Sequence, residues 1–235
     1  MMLKDHVKSL RHIIMFMVAA VILKFTVGIA LGYHYYFPPD FNSDFLHGRD
    51  AYFFDGYWLP FYAHLMSGPL TIVFGGLLLS HSLRLRFRTL HRMMGRVQVF
   101  LVLFILAPSG LWMAFYSVSG RVGVLSFAML SLATGGCVIA GWMSVMRRRF
   151  QAHQRWMERC FVLLCSAVVL RVVAGAAVAI GVNASWFDPV ASVVSWTVPL
   201  AVYELNRLAV IRALNRQTIR ADDKSTQKHV IAESS

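Results

Sequence analysis

The stretch AHQRWMERCF at residues 152–161 leads directly into VLLCSAVVLRVVAGAAVAIG at residues 162–181. The second stretch is apolar for twenty residues, except for Ser166 and Arg171. A helix needs about 20 consecutive apolar residues to cross the hydrocarbon core of a bilayer. We therefore predict a transmembrane helix that has a histidine, two arginines and a tryptophan at its polar end.

Segments of the same kind recur along the chain. Of its 235 residues, 57% are hydrophobic and 14% are charged, and the mean hydropathy is +0.58. Soluble domains contain about 25% charged residues, so the composition predicts an integral membrane protein. We predict an all-α bundle of six membrane-spanning helices, at residues 12–33, 59–81, 96–117, 123–146, 159–182 and 189–211.

The net charge of +12 is distributed unevenly. Arginine and lysine residues cluster before span one, between spans two and three, between spans four and five, and after span six. In the three other connections the only arginine or lysine residues are Arg49 and Arg121. Because positively charged loops stay on the cytoplasmic side, this alternation predicts that both termini are cytoplasmic. It also favours the lipid bilayer and its anionic phospholipids as partners, rather than nucleic acid.

The predicted membrane domain covers residues 12–215, between a cytoplasmic segment at residues 1–11 and a disordered polar cytoplasmic tail at residues 216–235. Its longest outer loop, residues 34–58, is rich in tyrosine and phenylalanine. Aromatic side chains favour the membrane–water interface. The loop therefore predicts either an aromatic belt or a lid over an outer-facing site.

Two cations lie inside predicted spans, Lys24 near the middle of span one and Arg171 near the middle of span five. Charged residues within a bilayer are costly and often mark functional sites. At about 1.5 Å per residue, both lie on the order of 13–16 Å below the outer surface. Because no acidic residue lies at this depth, they predict an anionic partner: a haem propionate, a quinone oxygen, a lipid headgroup or a substrate carboxylate. The alternative is that Lys24 extends to the interface and Arg171 binds backbone carbonyls.

One carboxylate, Glu204, lies late in span six, and Arg207 follows it by three residues on the same helix face. Arg159, at the start of span five, is a candidate partner across the bundle. We predict a structural salt bridge here, with a proton-relay carboxylate as the alternative.

Histidines are the other candidates for chemistry. His64 lies one turn into span two, and His91 and His153 precede spans three and five at the inner face. Membrane haem b is commonly held by two histidines at equal depth, so His91 and His153 are the candidate ligands of a haem iron. Each histidine taken separately is more often a hydrogen-bonded interfacial residue than a ligand. Pro69 should kink span two just past His64, which favours either a cavity or plain packing.

Three motifs then coincide in order: His64-x3-Gly68-Pro69, His91-Arg92-x2-Gly95-Arg96, and His153-x-Arg155-Trp156-Met157-x-Arg159. Over about residues 60–175 they resemble the bacterial family of predicted membrane proteins catalogued as domain of unknown function 2306. The resemblance implies a helical bundle in the bacterial inner membrane and supplies no activity. Gln154 departs from the family, which tends to have arginine there. The positions that the resemblance marks for testing are His64, His91, His153, Arg155, Trp156, Arg159 and Arg171.

Three functions follow from these candidates. The first is a membrane redox component that binds haem b or quinone, with His91 and His153 as ligands. In this redox component the anionic substituents of the haem or quinone would be held by three cationic residues, Lys24, Arg155 and Arg171. The second is a small-molecule or lipid transporter with a cavity around His64. The third is a non-catalytic scaffold or accessory subunit. The sequence has no P-loop, GxGxxG or nucleophile elbow and leaves enzymatic activity open.

Overall fold

The computed structural model describes residues 2–43, 45–182 and 184–233, with side chains described except at residues 2–12, 14–15, 214 and 217–233. Within these ranges every regular element is helical. In chain order the helices are α1 (Met2–Leu31), α2 (Asp50–Tyr52), α3 (Trp58–Leu79), α4 (His81–Arg86), α5 (Arg88–Phe100), α6 (Ala107–Ala114), α7 (Gly120–Met146), α8 (Phe150–Leu164), α9 (Ser166–Ala179) and α10 (Phe187–Glu233). Gly32–Tyr35 form a 3₁₀ turn and Leu101–Leu106 form a π-helical turn. Phe53–Tyr57 contain a kink, where Asp55 and Gly56 leave helical backbone geometry and Gly56 has a φ of 109°.

Five segments of the described chain are long and apolar enough to cross a membrane. They are Phe16–Tyr35, Asp50–Leu79, Arg88–Ala114, Gly120–Met146 and Phe150–Ala179. These segments coincide with predicted spans one to five, and they make the chain a multi-pass helical membrane protein. The predicted sixth span lies in α10, which packs against α7, α8 and α9. Glu204, Asn206 and Arg207 lower its hydropathy, so a sixth crossing stays a prediction.

Two of the helices begin earlier than the hydropathy pattern predicts. α5 starts at Arg88 instead of residue 96, and α8 starts at Phe150 instead of residue 159. The intervening residues are mostly arginine, glutamine, methionine and leucine, which are strong helix formers even where they are not apolar. His91 and His153 therefore lie on helices, each in the first or second turn.

The connections define the two ends of the bundle. The aromatic end comprises residues 32–43, 45–57, 115–119, 180–182 and 184–186, and the basic end comprises residues 80–87 and 147–149. The predicted limits of the two terminal segments and the side of the membrane that each end faces stay predictions.

Most of the buried core lies between α3, the π-helical turn, α7, α8 and α10. Its centre contains Ile72, Val102, Val138, Leu163 and Trp196. Between α7 and α10 the core also contains a buried polar contact. The Trp196 indole nitrogen donates to Ser126 Oγ at 3.0 Å, and that hydroxyl donates to the Ser192 carbonyl at 2.9 Å. Hydrogen bonds of this kind hold helices together where lipid provides no hydrophobic driving force.

A second cluster closes the aromatic end. Leu46, Phe53, Tyr57 and Phe61 are at most 2% exposed and pack on one another. The Tyr62 hydroxyl ties the loop to α3 by donating to the Tyr36 carbonyl at 2.7 Å. We call residues 36–61 the aromatic cap.

The middle of the third span departs from regular α-helix at the π-helical turn Leu101–Leu106. The Ala107 amide donates to the Val102 carbonyl, five residues back instead of four. Pro108, which has no N–H, is the second residue after the turn, and π turns of this type widen a helix near sites of function or strain. The widening leaves the Leu106 carbonyl able to accept side-chain donors.

Candidate functional site

A cavity of about 490 Å³ lies in the half of the bundle next to the aromatic end. Its walls come from α1, α3, α6, α7, α9 and the first turns of α10. Most lining residues are apolar or aromatic, and three basic side chains, His64, Arg171 and Arg49, are among them. The cavity thus brings together two of the predicted site residues, His64 and Arg171, with one that was not predicted.

His64 is held at the cavity by the widened turn of the third span. Its Nδ1 lies 3.3 Å from the Leu106 carbonyl and 3.3 Å from Ser109 Oγ. Because the Ser109 hydroxyl donates to the Ile105 carbonyl at 2.6 Å, it can accept from His64. In the neutral ring the hydrogen is therefore assigned to Nδ1, which leaves the Nε2 lone pair available to a ligand.

Gly110 provides the space for the His64 ring. A Cβ atom at this position would lie 3.0 Å from His64 Cε1 and 2.9 Å from Ser131 Oγ. Both distances are shorter than ordinary contacts, so any larger residue would displace one of the two side chains. The ring is consequently packed against backbone on one side and faces the cavity on the other.

Arg171 is the cation of α9 that reaches the cavity. Its side chain is exposed, and its only hydrogen bond within the described chain is a long one, 3.5 Å, to the Ala167 carbonyl of its own helix. It is near enough for its charge to act on His64 and on Tyr33. Asp188 also lines the cavity, but among the described residues no carboxylate forms an ion pair with Arg171.

Lys24 lies beside Arg171, as their predicted depths require. Both line a pocket of about 290 Å³ between α1 and α9, together with Phe25, Gly28 and Ile29. Within the described residues Lys24 also has no ion-pair partner. The structure therefore brings the two intramembrane cations to one place, with no acidic side chain in the pocket wall.

Arg49, in the aromatic cap, is a residue that the sequence reasoning missed. It is 4% exposed. Its Nε donates to the Phe45 carbonyl at 2.7 Å, and its Nη1 donates to the Tyr116 carbonyl at 2.9 Å. The guanidinium also stacks on Tyr57, 5.5 Å from the ring centroid. Every hydrogen-bond partner of Arg49 in the described chain is neutral, and no described carboxylate forms an ion pair with it.

The basic end holds the other predicted residues, away from the cavity. The His153 Nδ1 lies 2.9 Å from the Gly141 carbonyl, which fixes the ring on α7. His153 and Arg84 lie close enough to His91 for their charges to act on its ring. The His91 Nδ1 is buried and has no hydrogen-bond partner in the described part of the chain. Arg155 is half-buried and forms no ion pair with a described residue.

Two further marked positions, Arg159 and Trp156, are used in packing. Arg159 donates through Nε and Nη2 to the two carboxylate oxygens of Glu204, at 2.5 and 3.1 Å. Its guanidinium lies over Trp156, 4.7 Å from the ring centroid. Arg207 approaches the same carboxylate at 3.5 Å. The predicted salt bridge is confirmed, and it joins α8 to α10.

A polar network surrounds this ion pair. The Tyr203 hydroxyl donates to Glu158 at 2.7 Å, and Gln154 donates to the same carboxylate at 2.8 Å. The Gln154 carbonyl in turn accepts from Arg84 at 3.0 Å. Gln154 thus connects α4 to α8 at the position where the sequence departs from the family pattern.

A metal-binding cluster would need several ligating side chains in one place. Within the described residues no group of three or more histidine, cysteine, aspartate or glutamate side chains is placed to hold a metal ion. A haem iron held by two histidines needs fewer protein ligands than such a cluster. The prediction that His91 and His153 bind a haem iron therefore stays a prediction.

Comparison with known proteins gives one match. The family model described as "Predicted membrane protein (DUF2306)" matches residues 61–206. This range contains the cavity residues His64 and Arg171 and the basic-end residues His91 and His153, whereas Lys24 and Arg49 precede it. No curated protein and no solved structure matches the chain.

Proposed function

The chain belongs to the DUF2306 family of predicted membrane proteins, and we propose that it binds an anionic amphiphile in the cavity at the aromatic end. In this proposal it is a lipid-handling or transport protein of the bacterial inner membrane. The observation that carries the proposal is that His64, Arg171 and Arg49 line one largely apolar cavity of about 490 Å³.

The size and lining of the cavity support a small amphipathic ligand. Ligand pockets typically have volumes of about 300–1,000 Å³, mostly apolar walls and a few polar groups that fix orientation. The apolar wall would hold the hydrocarbon part of the ligand. The Nε2 of His64 and the guanidinium of Arg171 would hold its polar head.

The charge balance supports an anion. Arg49 and Arg171 are cations within or beside membrane-spanning helices, and no described carboxylate pairs with either. Cations at membrane depth are costly unless they pair or reach water. An anionic head bound between them would offset that cost, whereas a cationic ligand would increase it.

The orientation is part of the proposal. The basic end holds the arginines of residues 84–88 and 147–149, and positively charged loops stay cytoplasmic. The aromatic end with the cavity would then face the periplasm. With α10 as a sixth crossing, both termini would be cytoplasmic.

Binding of a fluorescent long-chain fatty acid to the purified protein tests this function, with its methyl ester as the neutral control. We expect saturable binding of the acid and at least tenfold weaker binding of the ester. Arg171→Gln should weaken binding of the acid about tenfold, whereas Arg121→Gln should leave it unchanged, because Arg121 is exposed outside the cavity. Equal affinities for acid and ester would rule the proposal out.

A second candidate, the haem-binding redox component, is supported by one observation. The buried Nδ1 of His91 has no partner among the described residues, and His153 lies nearby, so two histidines at one end of the bundle are candidate ligands. The absorption spectrum of protein purified from cells supplied with haem decides this candidate. A Soret band that His91→Ala or His153→Ala removes would support it, and the absence of the band in the wild-type protein would end it.

A further inference from the structure

The seam between α1 and α9 contains the pocket of about 290 Å³ that Lys24 and Arg171 line. Two of its five lining residues, Ile29 and Arg171, also line the cavity. The pocket and the cavity therefore adjoin at these two side chains. A ligand that occupied both would have to pass only Ile29 and Arg171.

The first helix is the least buried part of the bundle. Only 6% of its span is buried, against 22% or more in each of the other four candidate spans. It contacts α3 and α9, and its exposed residues include Phe16, Leu23 and Val27. A helix with so few buried residues can separate from α9 at a small cost in packing. The seam is therefore the part of the wall that lipid reaches most easily.

The aromatic cap covers only part of the cavity. Leu46 and Phe53 are fully buried there, Tyr57 and Phe61 nearly so, and Arg49 bonds the cap to the Tyr116 carbonyl. The cavity also reaches Val118 and Asp188, which are exposed at the aromatic end, whereas its side toward the lipid carries two exposed cations, Lys24 and Arg171.

The depth of the two cations fits a headgroup drawn inward from the membrane surface. Lys24 precedes Tyr35, the last residue of its span, by 11 residues, and Arg171 precedes Ala179 by 8. At about 1.5 Å per residue these separations are about 16 and 12 Å. Lysine and arginine can extend their charged ends toward the surface along an apolar stem, but the Arg171 Nη1 lies 3.5 Å from the Ala167 carbonyl, one turn toward the basic end. A phosphate that contacts both cations would therefore lie well below the headgroup layer.

We propose that the Lys24–Arg171 pocket is a headgroup site for an anionic phospholipid of the outer leaflet, and that the α1–α9 seam is the lateral entrance to the cavity. This inference rests on the proposed function, because it takes the cavity to be the place where the lipid is bound. The phosphate would contact both cations, and an acyl chain would pass Ile29 into the cavity.

Native mass spectrometry of the full-length protein in detergent tests the inference, with phosphatidylglycerol and phosphatidylcholine of the same chain length as probes. We expect phosphatidylglycerol to bind at least tenfold more tightly than phosphatidylcholine. Lys24→Gln should reduce that preference about fivefold or more. Equal binding of the two lipids to the wild-type protein would overturn the headgroup site.

Gly28→Trp tests the entrance itself. A Cβ at Gly28 meets no atom within 4 Å, so the indole would fill the pocket and leave the packing intact. Gly136→Trp is the matched control, because Gly136 is exposed on α7 and equally unobstructed. We expect Gly28→Trp to weaken phosphatidylglycerol binding about tenfold and Gly136→Trp to change it less than twofold. Circular dichroism and thermal unfolding verify that both variants fold.

The two proposals fail in different ways. Suppose that Gly28→Trp and Lys24→Gln bind phosphatidylglycerol like the wild type, while Arg171→Gln still weakens fatty-acid binding. The proposal of a lateral entrance is then wrong, and the proposal of a binding cavity is retained. If the wild-type protein binds neither the fatty acid nor phosphatidylglycerol saturably, both proposals are wrong. If Gly28→Trp loses phosphatidylglycerol but keeps fatty-acid affinity within about twofold, both are supported.

Discussion

The two arginines of the fifth span, Arg159 and Arg171, differ in what surrounds them. Arg159, toward the basic end, bonds both carboxylate oxygens of Glu204 and stacks on Trp156. Arg171, toward the aromatic end, has one long bond to its own helix and faces a cavity. The same residue type on one span is thus used in two ways: the paired arginine holds helices together, and the unpaired one is available to a ligand.

The histidines of the two ends differ in the same way. The His153 Nδ1 bonds the Gly141 carbonyl, in the contact between α7 and α8. Within the described chain the His64 Nδ1 contacts the Leu106 carbonyl and Ser109 Oγ, and the residue lines the cavity. The four predictions that follow test this division into a structural end and a binding end, in order of decreasing effect on stability.

The largest effect is expected from Glu204→Ala. It removes the carboxylate from Arg159 and leaves a partly buried guanidinium, 18% exposed, without its partner. Breaking a buried ion pair costs about 3–5 kcal/mol and an exposed one under about 1, so we expect a loss of about 2 kcal/mol in the free energy of unfolding. Thermal or denaturant unfolding in detergent measures it. An unchanged stability would show that the basic end does not depend on this ion pair.

A somewhat smaller loss is expected from Gly110→Ala. The new methyl group would meet His64 and Ser131 and displace one of them. Overpacking of this kind costs about 1–3 kcal/mol, and the fatty-acid affinity should fall with it. Gly136→Ala is the control. Its methyl group meets no atom within 4 Å, so it should leave stability unchanged or raise it by less than about 1 kcal/mol. Equal effects of the two changes would contradict the close packing at His64.

Arg49→Lys should cost about 1 kcal/mol, because an ammonium group cannot reproduce the two guanidinium bonds to the Phe45 and Tyr116 carbonyls. Hydrogen exchange of residues 45–57 should increase in the variant, and exchange in α8 should not. Uniformly increased exchange along the whole chain would show that Arg49 stabilises the fold and has no particular role in the cap.

The smallest effect on stability is expected from Arg171→Gln, below about 0.5 kcal/mol, since the side chain is exposed and pairs with no described carboxylate. The same variant should show the largest loss of fatty-acid binding. Unfolding and binding measured on one preparation test both statements. A loss of stability as large as that of Glu204→Ala would remove the distinction between the two arginines.

Much of the fold was predictable because membrane-spanning helices depend on length and apolarity, which the sequence shows directly. Spans one to five follow in this way. The early starts of α5 and α8 were not predicted, because their first turns are polar. Polar residues that favour a helix do not raise the hydropathy from which the spans were predicted. The Arg159–Glu204 bridge was predicted, since charges near one depth in a bundle have few other partners.

The candidate site was predicted in part. Lys24, His64 and Arg171 are polar residues in apolar segments, and this is a strong signal. Arg49 lies in a loop, where a charge is ordinary, and its burial follows from packing among distant aromatic residues. Its one signal was that it is one of only two arginines, with no lysine, in the predicted outer connections. Residues Ser109 and Gly110 acquire their roles only through the π-helical turn.

That turn also sets the rotational phase of the third span. Each residue advances an α-helix by about 100°, so the extra residue taken up at Leu101–Leu106 rotates everything after it relative to everything before. Deleting one residue there would restore a regular helix of nearly the same length and hydropathy. Because the deletion would remove the extra residue together with the turn that takes it up, Ser109 and Gly110 would keep their phase relative to the start of the span. A regular helix with the same number of residues would instead rotate Ser109 and Gly110 by about 100° away from His64, so the turn is what aligns this part of the cavity lining.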